Sequence, residues 1–160
     1  MATLRPAGAA DVGAIANIWS DGWHDGHEGH VPDALVAART EESFRLRVPE
    51  RLTDTVVAVV NGVVAGFVMV IDDEVEQVYV AREHRGTGVA AALLMEAERL
   101  VAANGHPQAW LAVVAGNHRA RRFYARSGWI DEGPIRYPAA AANGTILVAA
   151  RRYAKRTTAA

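Results

Sequence analysis

The chain has 160 residues, of which 51% are hydrophobic, and this length suits one domain with its own buried core. It contains no cysteine, which excludes disulfide bonds, a thiolate nucleophile and cysteine-ligated metal centres. The net charge of -1 argues against a protein that binds nucleic acid by neutralising its phosphates.

The first third of the chain is predicted to be mainly helical. Thr3–Pro6 fits a short edge strand, and apolar residues at helical spacing after Asp11 predict a helix. Three glycines in eight residues predict that the histidine-rich segment Gly22–His30 is a loop. Pro32 and Thr40 are suited to open further helical segments.

The middle of the chain carries a clear hairpin signal. Two β-branched runs, Thr55–Val60 and Val63–Ile71, flank Asn61 and Gly62, a pair typical of a type I′ turn. Glu74–Val80 is predicted to be the next strand. Strict alternation along it would place one set of side chains opposite the other: Val75, Gln77 and Tyr79 on one face, and Glu74, Glu76, Val78 and Val80 on the other.

The second half of the chain alternates between helical and strand patterns. A long helix is predicted over Gly86–Asn104 and ends at Gly105, and a strand is predicted over Ala109–Ala115. A short helix is predicted from Asn117 to Gly128. Two closing strands are predicted over Trp129–Tyr137 and Thr145–Tyr153, with the loop Pro138–Gly144 between them.

This order of elements predicts a mixed α/β fold in one domain, residues 1–154, followed by a frayed tail, residues 155–160. The apolar runs are too short to cross a membrane. Met1–Pro6 lacks the basic and apolar regions of a secretory signal, so we expect a cytoplasmic protein.

The segment Arg85–Ala91 has the composition of a phosphate-binding loop. Its two glycines precede a long helix, whose first N–H groups and positive dipole end can hold an anion. A plain glycine-rich turn is the simpler alternative. The segment also fits the dinucleotide pattern Gly-x-Gly-x-x-Ala, but five residues separate its first glycine from the preceding strand, and Gly105–Leu111 contains no acidic residue. The dinucleotide interpretation is therefore weak.

A second motif lies further along, Asn117-x-x-Ala-x-x-Phe-Tyr124-x-x-x-Gly-Trp129. With Arg85-x-x-Gly88-x-Ala90 it resembles the two motifs of the GNAT-type N-acetyltransferase superfamily, in the same order and spacing. Trp129 stands where the family pattern has phenylalanine, and Arg82 stands where many members have proline. The resemblance runs from about Thr55 to Trp129.

The resemblance implies a mostly antiparallel sheet that splays into a V-shaped cleft, flanked by about four helices, with acetyl-CoA as co-substrate and no metal. The residues it would place on the cofactor are Val78, Tyr79, Val80, Arg85, Gly86, Thr87, Gly88, Val89, Ala90, Ala91, Asn117 and Tyr124. The backbone of Val78 and Val80 would pair with the pantetheine arm, and the Val78 N–H would face the thioester.

Tyr124 is implied to be the acid that protonates the departing thiolate, because a phenol stays protonated near neutral pH. Packing of its ring in the core is the alternative. Asn117 has two compatible roles, as a helix cap and as a hydrogen-bonding partner of the cofactor.

Glu76 and Glu74 are the candidate bases that deprotonate the attacking amine. The expected alternation puts them on the face of Val78, and a pair of neighbouring carboxylates raises the pKa of each. We favour Glu76, which is nearer to Val78. Anchoring a cationic substrate is an equally good role for either glutamate, and a water chain is the other route for the proton.

The histidine-rich segment is the most individual part of the chain. Its glycines argue against a helix that would align His24, His27 and His30 as metal ligands, so a metal site is not expected. A polar loop is the simplest interpretation. In the superfamily this region often shapes the acceptor pocket, which makes the following residues candidate substrate contacts: Trp19, Trp23, His24, His27 and His30.

The function implied is acetyl transfer from acetyl-CoA to a primary amine of a small molecule or an amino-acid-like acceptor, by direct attack in a ternary complex. The alternatives are a protein N-terminal or lysine acetyltransferase and a catalytically silent acyl-CoA sensor. We expect no nucleic-acid or membrane partner, and a homodimer as the family commonly forms. Arg39, Arg45 and Arg47 are expected to form a solvated helix face, and contact with an acidic acceptor is the alternative that the sequence leaves open.

Overall fold

A computed structural model describes residues 1–141 and 144–158. Within them the chain forms one seven-stranded sheet, five α-helices and three short 3₁₀ turns. The strands are β1 (Thr3–Pro6), β2 (Thr55–Val60), β3 (Val63–Ile71), β4 (Glu74–Val80), β5 (Gln108–Val114), β6 (Ile130–Ala141) and β7 (Gly144–Arg156). The α-helices are α1 (Val12–His27), α2 (Asp33–Ala38), α3 (Glu41–Arg51), α4 (Val89–Ala103) and α5 (His118–Arg126).

The sheet has the strand order β1-β2-β3-β4-β5-β7-β6, and every neighbouring pair is antiparallel except β4 and β5. This confirms the predicted mixed α/β class with a mostly antiparallel sheet. β3 is buried along most of its length because helices cover both faces of the sheet there. Phe67 and Met69 pack with α1 and α3, whereas Val68 and Val70 pack with α4.

The parallel pair is where the sheet opens. β4 and β5 share one ladder position, Glu74 opposite Trp110, supported by a hydrogen bond from the Trp110 N–H to the Asp73 carbonyl. β5 otherwise pairs with β7 on its other edge, from Gln108 to Val114. The two strands therefore separate beyond their first residues, and this produces the V-shaped cleft implied by the resemblance.

The prediction that Gly22–His30 is a loop was wrong, because α1 continues to His27. Gly22 and Gly26 are one helical turn apart and allow α1 to lie close to the open sheet. A Cβ atom on Gly22 would be 2.4 Å from the Tyr79 ring, and one on Gly26 would be 2.7 Å from the Asn117 amide nitrogen. Gly29, with φ of +83°, follows the end of the helix. Two of the three glycines are thus packing residues, not helix breakers.

The predicted loop Pro138–Gly144 is also mostly strand. β6 extends to Ala141, and Pro138 lies opposite Leu147 of β7. Proline is tolerated there because β6 is the edge strand of the sheet. Residues 142 and 143 of this predicted loop lie outside the described residues. The boundary predicted after residue 154 is two residues short, since β7 runs to Arg156.

Because α1 lies close to β4, replacing a glycine of α1 with alanine should lower the free energy of unfolding at some positions and not at others. We expect Gly22→Ala to destabilise the fold by about 1–3 kcal/mol, because the Tyr79 ring must move. Gly13→Ala is the matched control in the same helix, since nothing lies within 4 Å of its Cβ position. There alanine should be neutral or stabilising by up to about 1 kcal/mol. Urea unfolding checks both values, and equal effects would contradict the packing role of Gly22.

Candidate active site

A cavity of about 610 Å³ fills the space between the separated strands. β4 and β5 form two of its walls, and the residues before and at the start of α4 form its mouth. Residues of α1, α3 and α5, of β6 and β7, and in and just after α2 also line it. Its lining contains these members of the predicted site: Trp23, His27, Glu74, Glu76, Val78, Tyr79, Val80, Arg85, Gly86, Gly88, Ala90, Ala91, Asn117 and Tyr124.

The backbone of β4 presents free hydrogen-bonding groups to this cavity. The Ala81 N–H donates to the Ala65 carbonyl of the neighbouring β3 strand. In an antiparallel ladder such bonds recur at alternate residues, so the N–H groups of Val78 and Val80 point away from β3. They face the gap left by β5, where an extended ligand can pair with them as an added strand would.

The mouth of the cavity is a helix start with exposed N–H groups. α4 begins at Val89, three residues later than predicted, because Gly86 and Gly88 have φ of +77° and +88°. These left-handed conformations favour glycine. Apart from its two chain neighbours, no described residue lies within 4 Å of the Cβ position of either glycine, so the backbone is open to a ligand. The first turn of a 15-residue helix can thus receive an anion.

Asp25 of α1 forms hydrogen bonds with two arginines beside the mouth of the cavity. Its carboxylate accepts hydrogen bonds from Arg82 at 2.9 and 2.8 Å and from Arg85 at 2.9 Å. The hydrogen bonds from Arg82 and Arg85, together with their charges, hold the pKa of Asp25 well below its usual range. Arg82, which departs from the family pattern, therefore connects the loop before α4 to the end of α1.

Tyr124 lies in the cavity wall with 8% of its surface exposed. Burial raises the pKa of its phenol, so the hydroxyl stays protonated at neutral pH. No hydrogen-bond partner of this hydroxyl lies among the described residues. Asn117 caps α5, its side-chain oxygen accepting from the Ala120 N–H at 3.2 Å. Its amide nitrogen is directed toward Gly26 of α1.

The two glutamates of β4 have different surroundings. The register between β3 and β4 shifts so that Val75 opposes Val70 and Gln77 opposes Met69, which leaves Glu76 without an opposite residue. The expected alternation was therefore wrong at this point, because such a bulge changes the face on which the preceding residues lie. Val75 packs in the same cluster as Val78, and not with Tyr79.

Glu76 forms an ion pair with Arg51 of α3, with 2.9 Å between Nε and a carboxylate oxygen. Glu74 instead accepts a hydrogen bond from the Tyr137 hydroxyl. Burial raises the pKa of Glu74, and the neighbouring charges of Glu76 and Asp73 act in the same direction. Tyr137 and Arg51 were missed from the sequence, since they come from elements far from β4 along the chain.

Some residues of the histidine-rich segment line the cavity, and others pack elsewhere in the fold. Trp23 and His27 stack at 4.4 Å between ring centroids and line the cavity. Trp19 lies in the core with 1% exposure and does not line the cavity. The His24 ring lies between Glu28 and the Arg39 carbonyl, and His30 packs against Gly116. Among the described residues no group of three or more histidines and acids could hold a metal.

The three arginines expected on a solvated face do not share one environment. Arg45 is exposed, whereas Arg47 is partly buried and Arg39 is only 5% exposed. Both Arg39 and Arg47 line the cavity. The expectation was wrong for these two because α2 and α3 pack their inner sides against α1, which turns the arginines inward.

A scan against family models matches the acetyltransferase (GNAT) family over residues 14–129. The chain thus belongs to the GNAT acetyltransferase family. A curated relative, an uncharacterised N-acetyltransferase of Mycobacterium tuberculosis, is 36% identical over 96 residues, which cover 54% of this chain. An equal match is found in Mycobacterium bovis. The match covers 62% of the length of each relative, somewhat less than two thirds.

Solved structures share the fold over nearly the whole chain. A GCN5-related N-acetyltransferase from Rhodopseudomonas palustris aligns with a TM-score of 0.76 at 22% identity, covering 98% of this chain and 96% of its own. A phosphinothricin acetyltransferase from Sinorhizobium meliloti, solved with acetyl-CoA, aligns with a TM-score of 0.69 at 22% identity, covering 98% of this chain and 88% of its own.

In the part of the chain that the structure describes, no helix is long and apolar enough to cross a bilayer.

His27 predicts a loss of stability in mild acid. Burial lowers its pKa from 6.5 to about 4, so the folded protein binds a proton at this ring less readily than the unfolded chain does. The free energy of unfolding should fall as the pH drops from 6.5 toward 4, by up to roughly 3 kcal/mol from this group. Denaturant unfolding across that range checks it. The His27→Gln variant should lack this component, and parallel curves for both proteins would contradict the assignment.

Proposed function

We propose that this chain is an N-acetyltransferase that moves an acetyl group from acetyl-CoA to the primary amine of a small or amino-acid-like acceptor. The observation that carries this proposal is the gap between β4 and β5, which offers the free backbone groups of Val78 and Val80. The same gap opens onto the N-terminus of α4 and contains Tyr124. Family membership and the fold of structures solved with acetyl-CoA or CoA support it.

The cavity suits both ends of the donor substrate. Gly86, Gly88 and the first turn of α4 would hold the pyrophosphate through backbone N–H groups. β4 would pair with the pantetheine arm, and the Val78 N–H would donate to the thioester carbonyl oxygen, where negative charge develops during attack. Arg85 would add positive charge at the mouth, although Asp25 already shares its guanidinium.

The reaction needs one proton removed and one proton supplied. The amine nitrogen attacks the acetyl carbon, the carbon–sulfur bond breaks, and the new amide releases a proton. We assign the proton acceptor to Glu74, directly or through water, because its raised pKa suits a base and Glu76 is already engaged by Arg51. Tyr124 gives its proton to the departing thiolate and regains one from solvent.

Replacement of the Tyr124 hydroxyl gives a direct test of this function. Tyr124→Phe should lower kcat by roughly 10²–10⁴-fold, the usual contribution of a general acid. Acetyl-CoA affinity and the melting temperature should change little, since the hydroxyl has no hydrogen-bond partner among the described residues. Thiol release with a panel of amines, calorimetric titration with acetyl-CoA and thermal unfolding check the three values. If acetyl-CoA does not bind at millimolar concentration, the proposed function is wrong.

Replacing Glu74 and replacing Glu76 should have different effects on the pH dependence of kcat/KM. Glu74→Gln should lower kcat/KM roughly 10²-fold and remove the acidic limb of its pH dependence, because the base is lost. Glu76→Gln should keep that limb, and its effect should come from releasing Arg51. If the acidic limb disappears in Glu76→Gln and persists in Glu74→Gln, the base is Glu76 as the sequence suggested. Persistence in both variants would indicate a water chain.

A further inference from the structure

Arg39 and Arg47 line the cavity, are at least partly buried and form no ion pair among the described residues, whereas the other unpaired arginines of the lining, Arg119 and Arg126, are exposed. Arg39 follows the last residue of α2, has 5% of its surface exposed, and its Nε atom is buried without a hydrogen-bond partner. Arg47 lies on α3, and neither guanidinium forms an ion pair within the described part of the chain. Both side chains line the cavity that contains Glu74 and Tyr124.

Leaving these cations unpaired is costly for the fold. Burial, together with the positive charge of Arg47 nearby, lowers the pKa of Arg39 to about 10. Burial is also the main cause that lowers the pKa of Arg47, and the negative charges of Glu76 and Glu50 offset this only in part. Buried charges in folded proteins are ordinarily paired. The same chain does pair Asp11, which is 7% exposed, with Arg5 at 2.8 Å.

Aromatic rings hold both guanidinium groups in place. The Arg39 guanidinium carbon lies 5.6 Å from the centroid of the Trp23 ring. Arg47 lies 4.5 Å from the Trp19 ring and 5.9 Å from the Phe44 ring. A cation–π contact engages the charge of a guanidinium and does not use up its N–H hydrogen-bond donors. The pair is therefore held in position for a ligand that accepts hydrogen bonds.

We propose that Arg39 and Arg47 form a subsite for a carboxylate of the acceptor, so that the amine to be acetylated belongs to an amino acid or a similar amino carboxylate. This inference rests on the proposed function, because it places the acceptor in the same cavity as the acetyl donor. Arg51 does not take part, since Glu76 already pairs with it. Glu74, which is not paired with an arginine, lines the same cavity and suits the ammonium group of such a zwitterion.

The test compares amino acids with their own carboxamides as acceptors. The wild-type protein should prefer each accepted amino acid over its carboxamide by roughly 10- to 100-fold in kcat/KM, the value of a lost charge-assisted hydrogen bond. Arg39→Met and Arg47→Met should each reduce that preference to near one, mainly through KM. Arg45→Met is the matched control, because Arg45 is exposed on the same helix as Arg47 and should leave the preference unchanged.

Two further measurements separate the possible failures. Acetyl-CoA binding, measured first by calorimetry, should be the same in all four proteins; its absence from the wild type overturns the proposed function and this inference with it. Arg39→Met should melt no lower than the wild type, because it removes an unpaired buried charge. If acetyl-CoA binds but carboxamides serve as well as amino acids, the subsite is wrong and the transferase remains. Amino acids that neither react nor raise the melting temperature of the acetyl-CoA complex also overturn it.

Discussion

The single ladder position between β4 and β5 is the constraint on which the rest of the structure depends. Because the strands meet only where Glu74 opposes Trp110, the N–H groups of Val78 and Val80 face a cavity instead of a neighbouring strand. The register shift near Glu76 belongs to the same feature, since a bulge bends its strand and increases the local twist. A sheet that continued its pairing here would have no room for a ligand, however well its loops suited a phosphate.

An open sheet needs a cover, and α1 supplies it. Its glycines allow the helix backbone to approach Tyr79 on β4 and Asn117 at the start of α5. One turn of the helix therefore contacts elements on both sides of the cleft. On the same stretch, Asp25 is bonded to Arg82 and Arg85 beside the mouth of the cavity. The position of α1 is thus coupled to the loop that would hold the phosphates, which makes this helix a structural link between the acceptor and donor ends of the site.

Features set by neighbouring residues were predicted correctly from the sequence. The hairpin around Asn61 and Gly62, the cap of α5 at Asn117 and the end of α4 at Gly105 all depend on short-range geometry. The errors came from contacts between distant parts of the chain. The glycines of α1 suggested a loop because the sequence does not show that Tyr79 packs against Gly22 and Asn117 against Gly26. The arginines of α2 and α3 suggested a solvated face because their aromatic neighbours and the cavity are products of the fold. The two motifs correctly indicated where the cleft lies. They could not show that Glu76 forms an ion pair with Arg51.

The net charge of -1 conceals an uneven distribution that the fold creates. Several arginines are matched to carboxylates away from the acceptor end of the cavity, as Arg121 and Arg151 are with Asp131. In the cavity the matching is incomplete, since Arg51 is paired while Arg39 and Arg47 rest on aromatic rings. Hydrophobic packing of α1, α2 and α3 must offset the cost of burying those charges. The fold pairs many of its other charges but buries these two guanidinium groups without an ion pair. The unpaired positive charge therefore lies where the acceptor would bind. The near-zero net charge therefore gives no indication of this local concentration of positive charge.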